Sequence, residues 1–200
     1  MAKKIILALI ILILVALAAI MFLPGQNSVN IFIDGENVSV QTTAFSENIE
    51  SLNGEICEFA LNYMNGTDTN TTHLYNNITS ICEDYGLENA EVSIDSSIGK
   101  NQVPIIAQVS GNSMNPTLQD GQKVLVNKTH DIHIGDIVVA QSPEYGGIIK
   151  RVADIDGDSV YLVSDNKQVS YEYINGALYE LKGITTWVDI SNIEGVVIDY

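Results

Sequence analysis

Basic residues are scarce in this sequence, and most of its first half has none. No lysine or arginine occurs between Lys4 and Lys100, and the 200 residues carry a formal net charge of −16 at pH 7. Binding to nucleic acid requires basic patches that neutralise phosphate, and adsorption to an anionic lipid surface also requires positive charge. The composition therefore disfavours both, and we expect no nucleic-acid partner.

Cysteine and histidine are also few, which restricts metal chemistry and histidine-based catalysis. Cys57 and Cys82 are the only cysteines, and they lack the close pairing of a structural zinc site. His130 and His133 lie on a polar stretch without a convincing aspartate for a Ser-His-Asp triad. We expect neither a metal nor a cofactor. For the two cysteines, a disulfide between helices and a pair of buried free thiols are equal alternatives.

One long uncharged run stands near the N-terminus. Residues 5–23 form an apolar segment that is long enough to cross the roughly 30 Å hydrocarbon core as a helix. Two lysines precede it, so the positive-inside rule places residues 1–4 in the cytoplasm and everything after Pro24 outside. A small-x-small cleavage site occurs only inside the run, at 16–18, which favours a retained anchor over a removable signal sequence. The sequence predicts a single-pass protein of the cell membrane.

The composition changes halfway along the chain, and this change marks the expected domain boundary. Residues 24–99 contain twelve Asp or Glu and no Lys or Arg, whereas residues 100–200 contain seven of the nine basic residues. An Asp-Gly pair at 34–35 between two apolar runs predicts a β-hairpin. Apolar residues at helical spacing predict two helices, at about 44–64 and about 74–85. We therefore expect residues 24–99 to form an acidic extracytoplasmic α+β module.

Residues 100–200 have the pattern of an all-β module. Short apolar runs alternate there with turns that contain Gly and Asp. The predicted strands cover 103–109, 123–126, 136–140, 146–155, 159–163, 177–181 and 195–200. The expected architecture is therefore a mainly β domain with an N-terminal transmembrane helix and a small α+β module.

A serine in a constrained turn follows the first of these strands and is the candidate nucleophile. Gly111 and Pro116 restrict the backbone around Ser113, so the turn can hold the hydroxyl rigidly and direct backbone N–H groups at a developing oxyanion. A serine in such a turn is ordinarily turn chemistry alone. Because a bare serine is a poor nucleophile, the assignment depends on an accompanying base.

Lys150 is the candidate base. Strand alternation places it on the same face as Ile148 and Val152, with Arg151 on the opposite face. A buried lysine is costly unless it is neutral or paired, and desolvation can lower a lysine pKa by up to about 3 to 5 units. A lone strand lysine is more often an edge residue that blocks aggregation, but the Lys-Arg-Val context favours a catalytic one.

Four short motifs occur in order along the β module. They are Ser-Gly-x-Ser-Met-x-Pro-Thr-Leu at 110–118, Gly-Asp-Ile-Val-Val at 135–139, Lys-Arg-Val at 150–152 and Ser-Asp-Asn at 164–166. In order and approximate spacing they resemble the motifs of type I signal peptidases and the related LexA-type self-cleaving peptidases. The resemblance implies a signal peptidase/LexA-like β fold and a Ser-Lys serine endopeptidase. Its expected substrates are exported preproteins or membrane-associated polypeptides.

The resemblance also implies roles for individual residues. Ser113 would attack the scissile carbonyl, and neutral Lys150 would take its proton and later return it to the leaving amine. The backbone N–H of Ser113 would form part of the oxyanion hole. Some relatives carry a serine where this chain has Gly111, so no side-chain donor is expected at that position.

Further residues would support this chemistry. Arg151 and Asp165 resemble an ion pair that braces the active-site strands. The expected oxyanion and turn support comes from Gly111, Asn112, Met114 and Pro116.

Three functions are open on the sequence alone. The leading one is a membrane-anchored endopeptidase that cuts exported proteins after small residues near their membrane segments. The second is self-cleavage of the LexA type, against which counts the lack of an Ala-Gly bond in the linker region. The third is an anchored surface-binding or assembly protein whose β domain is catalytically silent.

Overall fold

The computed structural model of the protein describes residues 27–181 and 183–200. The apolar run at residues 5–23, for which the sequence predicts a membrane helix, lies outside these ranges. Within the described ranges, no helix is both long enough and apolar enough to cross a membrane.

The first part of the described chain is a three-stranded sheet that carries two helices. The elements are β1 (Ser28–Ile33), β2 (Val38–Thr43), α1 (Ile49–Asn65), α2 (Thr71–Asp84) and β3 (Glu91–Ser96). β1 pairs antiparallel with β2 and parallel with β3, so the helices belong to the crossover between parallel strands. The expected hairpin and the α+β character are confirmed, whereas the sequence pattern does not predict β3.

The first helix begins later than its periodicity predicts. α1 starts at Ile49 rather than at residue 44, and Phe45 is 89% exposed. The apolar stripe that packs on the sheet starts at Leu52 and continues through Ile56 and Ala60. Phe45 thus lies outside the stripe that stabilises the helix, because helical stability comes mainly from packing of an amphipathic face.

The second helix ends next to Gly86, as the sequence predicts. Gly86 has a φ of +76°, a conformation that glycine adopts at little cost. The N–H groups of Gly86 and Leu87 donate to the carbonyls of Glu83 and Cys82 at 2.8 and 2.9 Å. This pair of bonds is a Schellman motif, which satisfies carbonyls at the helix C-terminus.

The second part is a curled antiparallel sheet of seven strands, in the order β11-β8-β7-β6-β12-β5-β4. These strands are β4 (Pro104–Gln108), β5 (Lys123–Asn127), β6 (Ile137–Ser142), β7 (Gly146–Asp156), β8 (Ser159–Val163), β11 (Thr185–Asp189) and β12 (Ile193–Asp199). A separate hairpin is formed by β9 (Ser170–Ile174) and β10 (Ala177–Leu181). The mainly β prediction is confirmed, but the pattern misses β9 and β11. β11 buries one of its five residues, Val188, so its apolar signal is weak.

The central strand β6 is buried on both of its faces. Val138 and Ala140 lie in one hydrophobic cluster, whereas Ile137 and Val139 lie in another. A strand that is covered on both faces reads as a continuous apolar run rather than an alternating one. β4 and β7, which are separated by three strands in the sheet order, line one groove.

The two parts of the chain share buried contacts. Val103, just before β4, is fully buried in the cluster that also contains the helices. Lys128, at the end of β5, is 2% exposed, and its Nζ donates to the carbonyls of Met64 and Gly66 at the end of α1. Burial lowers the pKa of Lys128, while the carbonyls at a helix C-terminus favour its charge.

We expect Lys128→Met to lower the free energy of unfolding by about 1–3 kcal/mol, because it removes the donor from buried carbonyls. Lys123→Met, at the first residue of β5, is the matched control. Its ammonium pairs with Glu36 at 2.9 Å, but both side chains are more than half exposed, so the loss should be under about 1 kcal/mol. Denaturant midpoints of the purified protein measure both. Equal midpoint shifts would contradict the claim that the hydrogen bonds of Lys128 to the end of α1 stabilise the protein.

Candidate active site

Ser113 lies on a tight turn that is anchored in the core. The turn follows β4, and its apolar side chains Met114 and Leu118 are 1% and 0% exposed. Two backbone bonds close it, from Asn115 N–H to the Asn112 carbonyl at 3.1 Å and from Leu118 N–H to the Met114 carbonyl at 3.0 Å. Ser113 itself is half-buried. Its hydroxyl is therefore held by a rigid backbone yet reachable from outside.

The residues around the turn have distinct positions. Gly111 has a φ of +82°, which suits glycine, and its N–H donates to Asp120 Oδ1 at 2.7 Å. Asn112 is exposed, and its carbonyl accepts from Asn166 Nδ2 at 2.9 Å. Pro116 is exposed on the outer side of the turn and borders a second depression beside Asp165.

Lys150 reaches the serine from β7. Its side chain is 3% exposed, and Nζ lies 2.7 Å from Ser113 Oγ. The alternating burial of β7 matches the sequence prediction, since Ile148 and Val152 are buried with Lys150 while Arg151 faces the other way. Nζ also donates to the Ile149 carbonyl at 2.9 Å. The two residues are 37 positions apart in the chain, and the fold brings them within hydrogen-bonding distance.

Burial is the cause of an unusual protonation balance at Lys150. Desolvation lowers the pKa of its ammonium from the ordinary value of 10.5, because a charged amine loses its hydration in the protein interior. Among the described residues, no carboxylate forms an ion pair with it. An amine in this environment is neutral more often than a surface lysine, and only a neutral amine can accept a proton.

Arg151 and Asp165 form a two-pronged ion pair. Arg151 Nε and Nη2 donate to the two carboxylate oxygens of Asp165 at 2.8 and 2.6 Å, and Nη1 donates to the Gly135 carbonyl at 2.6 Å. Thr117 donates its hydroxyl to Asp165 Oδ2 at 2.7 Å. The hydrogen bond from Arg151 lowers the pKa of Asp165. The pair therefore ties β7 to the serine-bearing turn.

Asn166 also contacts the serine-bearing turn. It is part of the Ser-Asp-Asn motif at 164–166, but the sequence predicts no role for it. Its backbone N–H donates to the Ser113 carbonyl at 2.9 Å, and its Nδ2 donates to the Asn112 carbonyl, also at 2.9 Å. Both bonds fix carbonyls of the turn next to the hydroxyl-bearing residue. The asparagine therefore sets the backbone direction at Ser113.

A groove of about 520 Å³ passes over the serine and the lysine. One wall is formed by Ala107–Val109 and the serine turn, and the other by Tyr145 and Gly147–Ile149. β4 is an edge strand, and residues 146–150 of β7 lie beyond the part that pairs with β8. Within the described residues, both walls therefore present strand edges that pair with no other strand, and an extended polypeptide can add to such edges by main-chain hydrogen bonds.

The remaining candidates lie away from this groove. Cys57 and Cys82 are free thiols in the structure rather than a disulfide, and Cys57 Sγ donates to the Val38 carbonyl at 3.6 Å. Cys82 is buried, but Cys57 is only half-buried. His130 Nε2 lies 2.9 Å from the Ile193 carbonyl, so this histidine contacts backbone rather than the serine.

Comparison with known proteins identifies a family for this chain. The model of the family Peptidase S24-like matches residues 77–186, more than half of the chain. Signal peptidase I V of Bacillus subtilis (strain 168) is 41% identical over 81 residues, which cover 38% of this chain and 45% of that protein. Signal peptidase IB of Staphylococcus aureus (strain N315) is 36% identical over 72 residues, which cover 34% of this chain and 35% of that protein.

The family match covers more of the chain than the match to either relative. The chain belongs to the Peptidase S24-like family. It spans less than half the length of the curated relatives that it matches.

Proposed function

We propose that this protein is a serine endopeptidase of the signal peptidase type, with Ser113 as nucleophile and Lys150 as general base. The observation that carries the proposal is the 2.7 Å separation of Lys150 Nζ and Ser113 Oγ at a buried lysine. This distance is within the hydrogen-bond reach that a nucleophile and its base require. Burial lowers the pKa of Lys150, which favours the neutral amine that this step requires.

The reaction follows from these positions. The neutral amine of Lys150 accepts the proton of the Ser113 hydroxyl while Oγ bonds to the scissile carbonyl carbon. The backbone N–H of Ser113 donates to the oxyanion that forms. The Lys150 ammonium then protonates the leaving amine as the C–N bond breaks, which leaves an acyl-enzyme. A water molecule, deprotonated by Lys150, attacks the ester, and proton return to Oγ regenerates both groups.

The substrate class in this proposal is an extended polypeptide, in particular an exported preprotein or membrane-associated chain. The two free strand edges of the groove support it, because main-chain pairing accepts many sequences. Our proposed organisation has residues 5–23 as a membrane anchor and residues 24–200 outside. An anchor would raise the effective concentration of substrates that lie at the same membrane.

A cleavage assay across pH tests this proposal. Detergent-purified full-length protein is incubated with a preprotein in vesicles, and product termini are identified by mass spectrometry. We expect cleavage after a small residue. The value of kcat/KM should rise about tenfold per pH unit and then reach a plateau, because only neutral Lys150 is active. The apparent pKa of this rise should lie below 10.5, because burial lowers the pKa of Lys150.

The control is Ser113→Ala protein prepared in parallel, which reports contaminating peptidases. Equal cleavage by this variant, or no cleavage by the unaltered protein over a varied set of preproteins, would contradict the proposal. Those outcomes would favour a silent binding or assembly role. Cleavage confined to the chain's own bonds would instead favour LexA-type self-processing.

A further inference from the structure

A second cleft lies on the same edge strand as the proposed catalytic groove. It has a volume of about 380 Å³ and is bordered by β4, the tip of the β1–β2 hairpin and the last turn of α1. Gln108 of β4 lines both this cleft and the groove over Ser113. The two depressions therefore meet at one residue and follow one strand.

Among the described residues, the outer edge of β4 pairs with no other strand. Val109 donates its N–H to the Gln122 carbonyl, and the Val103 carbonyl accepts from Lys128 N–H, so both residues turn their backbone groups toward β5. Alternation along a strand then directs the backbone groups of Ile106 and Gln108 away from β5. A polypeptide paired to the groove edge at Gln108 can continue its pairing to Ile106.

The walls of the cleft come from both the acidic module and β4. Leu61 and Met64 of α1 and Ile105 and Ile106 of β4 form an apolar lining. Ile106 and Leu61 are half-buried, so part of their apolar surface remains open. The exposed ion pair between Lys123 and Glu36 stands at the rim.

We propose that this cleft is a distal subsite for the same extended substrate. The acidic module would recognise an apolar side chain in the part of the substrate that pairs along β4 and leads away from Ser113. The proposal rests on the proposed peptidase function. A strand advances about 3.3 Å per residue, and Ile106 precedes Ser113 by seven positions, so the recognised side chain lies about four to seven residues from the scissile bond. The module of residues 24–99 is then a determinant of specificity rather than a spacer.

Photocrosslinking tests the location directly. Peptides with a cleavable small-residue site carry benzoylphenylalanine at successive positions on either side, and they are irradiated with the full chain bearing Ser113→Ala. We expect positions about four to seven residues from the scissile bond, on one flank only, to crosslink to segment 61–65 or to 35–36. Crosslinks near the scissile bond to the groove, with none from any position to those segments, would overturn the proposal.

A kinetic comparison tests the energetic role. A long peptide with a leucine about four to seven residues from the scissile bond is compared with a short peptide that ends before this position. The unaltered protein should cleave the long peptide with about tenfold higher kcat/KM, because burial of one apolar side chain contributes a free energy of that size. Asn65→Trp, which places a large ring at the mouth of the cleft, should bring the ratio close to one. Asn62→Trp, an exposed asparagine on the same helix outside the cleft lining, should keep the tenfold ratio.

The outcomes separate the two proposals. A ratio near one in the unaltered protein, with both peptides cleaved, would overturn the distal subsite and leave the peptidase function standing. If neither peptide is cleaved, the peptidase function fails, and the crosslinking experiment alone decides the cleft.

Discussion

Ser113→Ala and Lys150→Met are each expected to lower kcat/KM for preprotein cleavage by roughly 10³- to 10⁶-fold, the loss seen when a nucleophile or its base is removed. The reason is the same for both, since either change breaks the contact between Nζ and Oγ. The double variant should lose no more than the worse single one, because groups that act as a unit are not additive. Cleavage of a labelled preprotein measures all three.

Lys150→Met also has a stability readout that separates it from misfolding. Burial lowers the pKa of Lys150 in the folded state, so the unfolded chain binds more protons between that pKa and 10.5. The buried charge therefore destabilises the fold most at pH values below the folded pKa, and this cost disappears as pH rises toward 10.5. We expect Lys150→Met to be more stable than the unaltered protein near neutral pH, with the difference shrinking in alkali. An inactive variant that melts lower at pH 7 would count against a desolvated amine.

Arg151→Met is expected to reduce the free energy of unfolding by about 2–4 kcal/mol, because it leaves the Asp165 carboxylate largely buried without its cation. Cleavage should fall as well, since Asp165 holds Thr117 beside the serine turn. Asp165 is the protonation-sensitive partner, and its pKa is lowered in the folded state. This contribution is present above the ordinary value of 3.8 and is lost as pH falls through the folded pKa.

The control for this ion pair is Glu36→Gln, which removes an ion pair whose members are both more than half exposed. It should change stability by less than about 1 kcal/mol. Thermal and denaturant unfolding at pH 7 and at pH 3 measure both variants. If the destabilisation by Arg151→Met were no larger than that by Glu36→Gln, the brace between β7 and the turn would be refuted.

Alternation and turn chemistry were sufficient to predict most of the β module and the inward direction of Lys150. They do not select that lysine. Lys128 follows Val124 and Val126 in the same two-residue period and is as deeply buried, at 2% exposure against 3%. The Lys-Arg-Val motif favours Lys150, but the physical difference lies in the tertiary structure, because Lys128 contacts helix carbonyls while Lys150 contacts Ser113.

Other features depend on contacts that a local pattern does not contain. β3 is a short alternating segment, and its apolar residues Val92 and Ile94 are buried in the core because β3 pairs parallel with β1. The role of Asn166 arises because its loop lies over the serine turn, far away in the chain. The distal cleft requires α1 and β4 to face each other, which periodicity within either element does not indicate.

The central position of β12 bears on when the sheet is completed during biosynthesis. β12 pairs with β5 on one side and β6 on the other, although it follows all the other described strands in the chain. A nascent chain that has not reached Ile193 already contains both Ser113 and Lys150, but lacks the strand that joins their two halves of the sheet. Such long-range pairing forms late, because loop closure precedes the contacts that reward it. In the peptidase proposed above, this topology joins Ser113 and Lys150 only after β12 has been made, so a chain still in synthesis is not yet active.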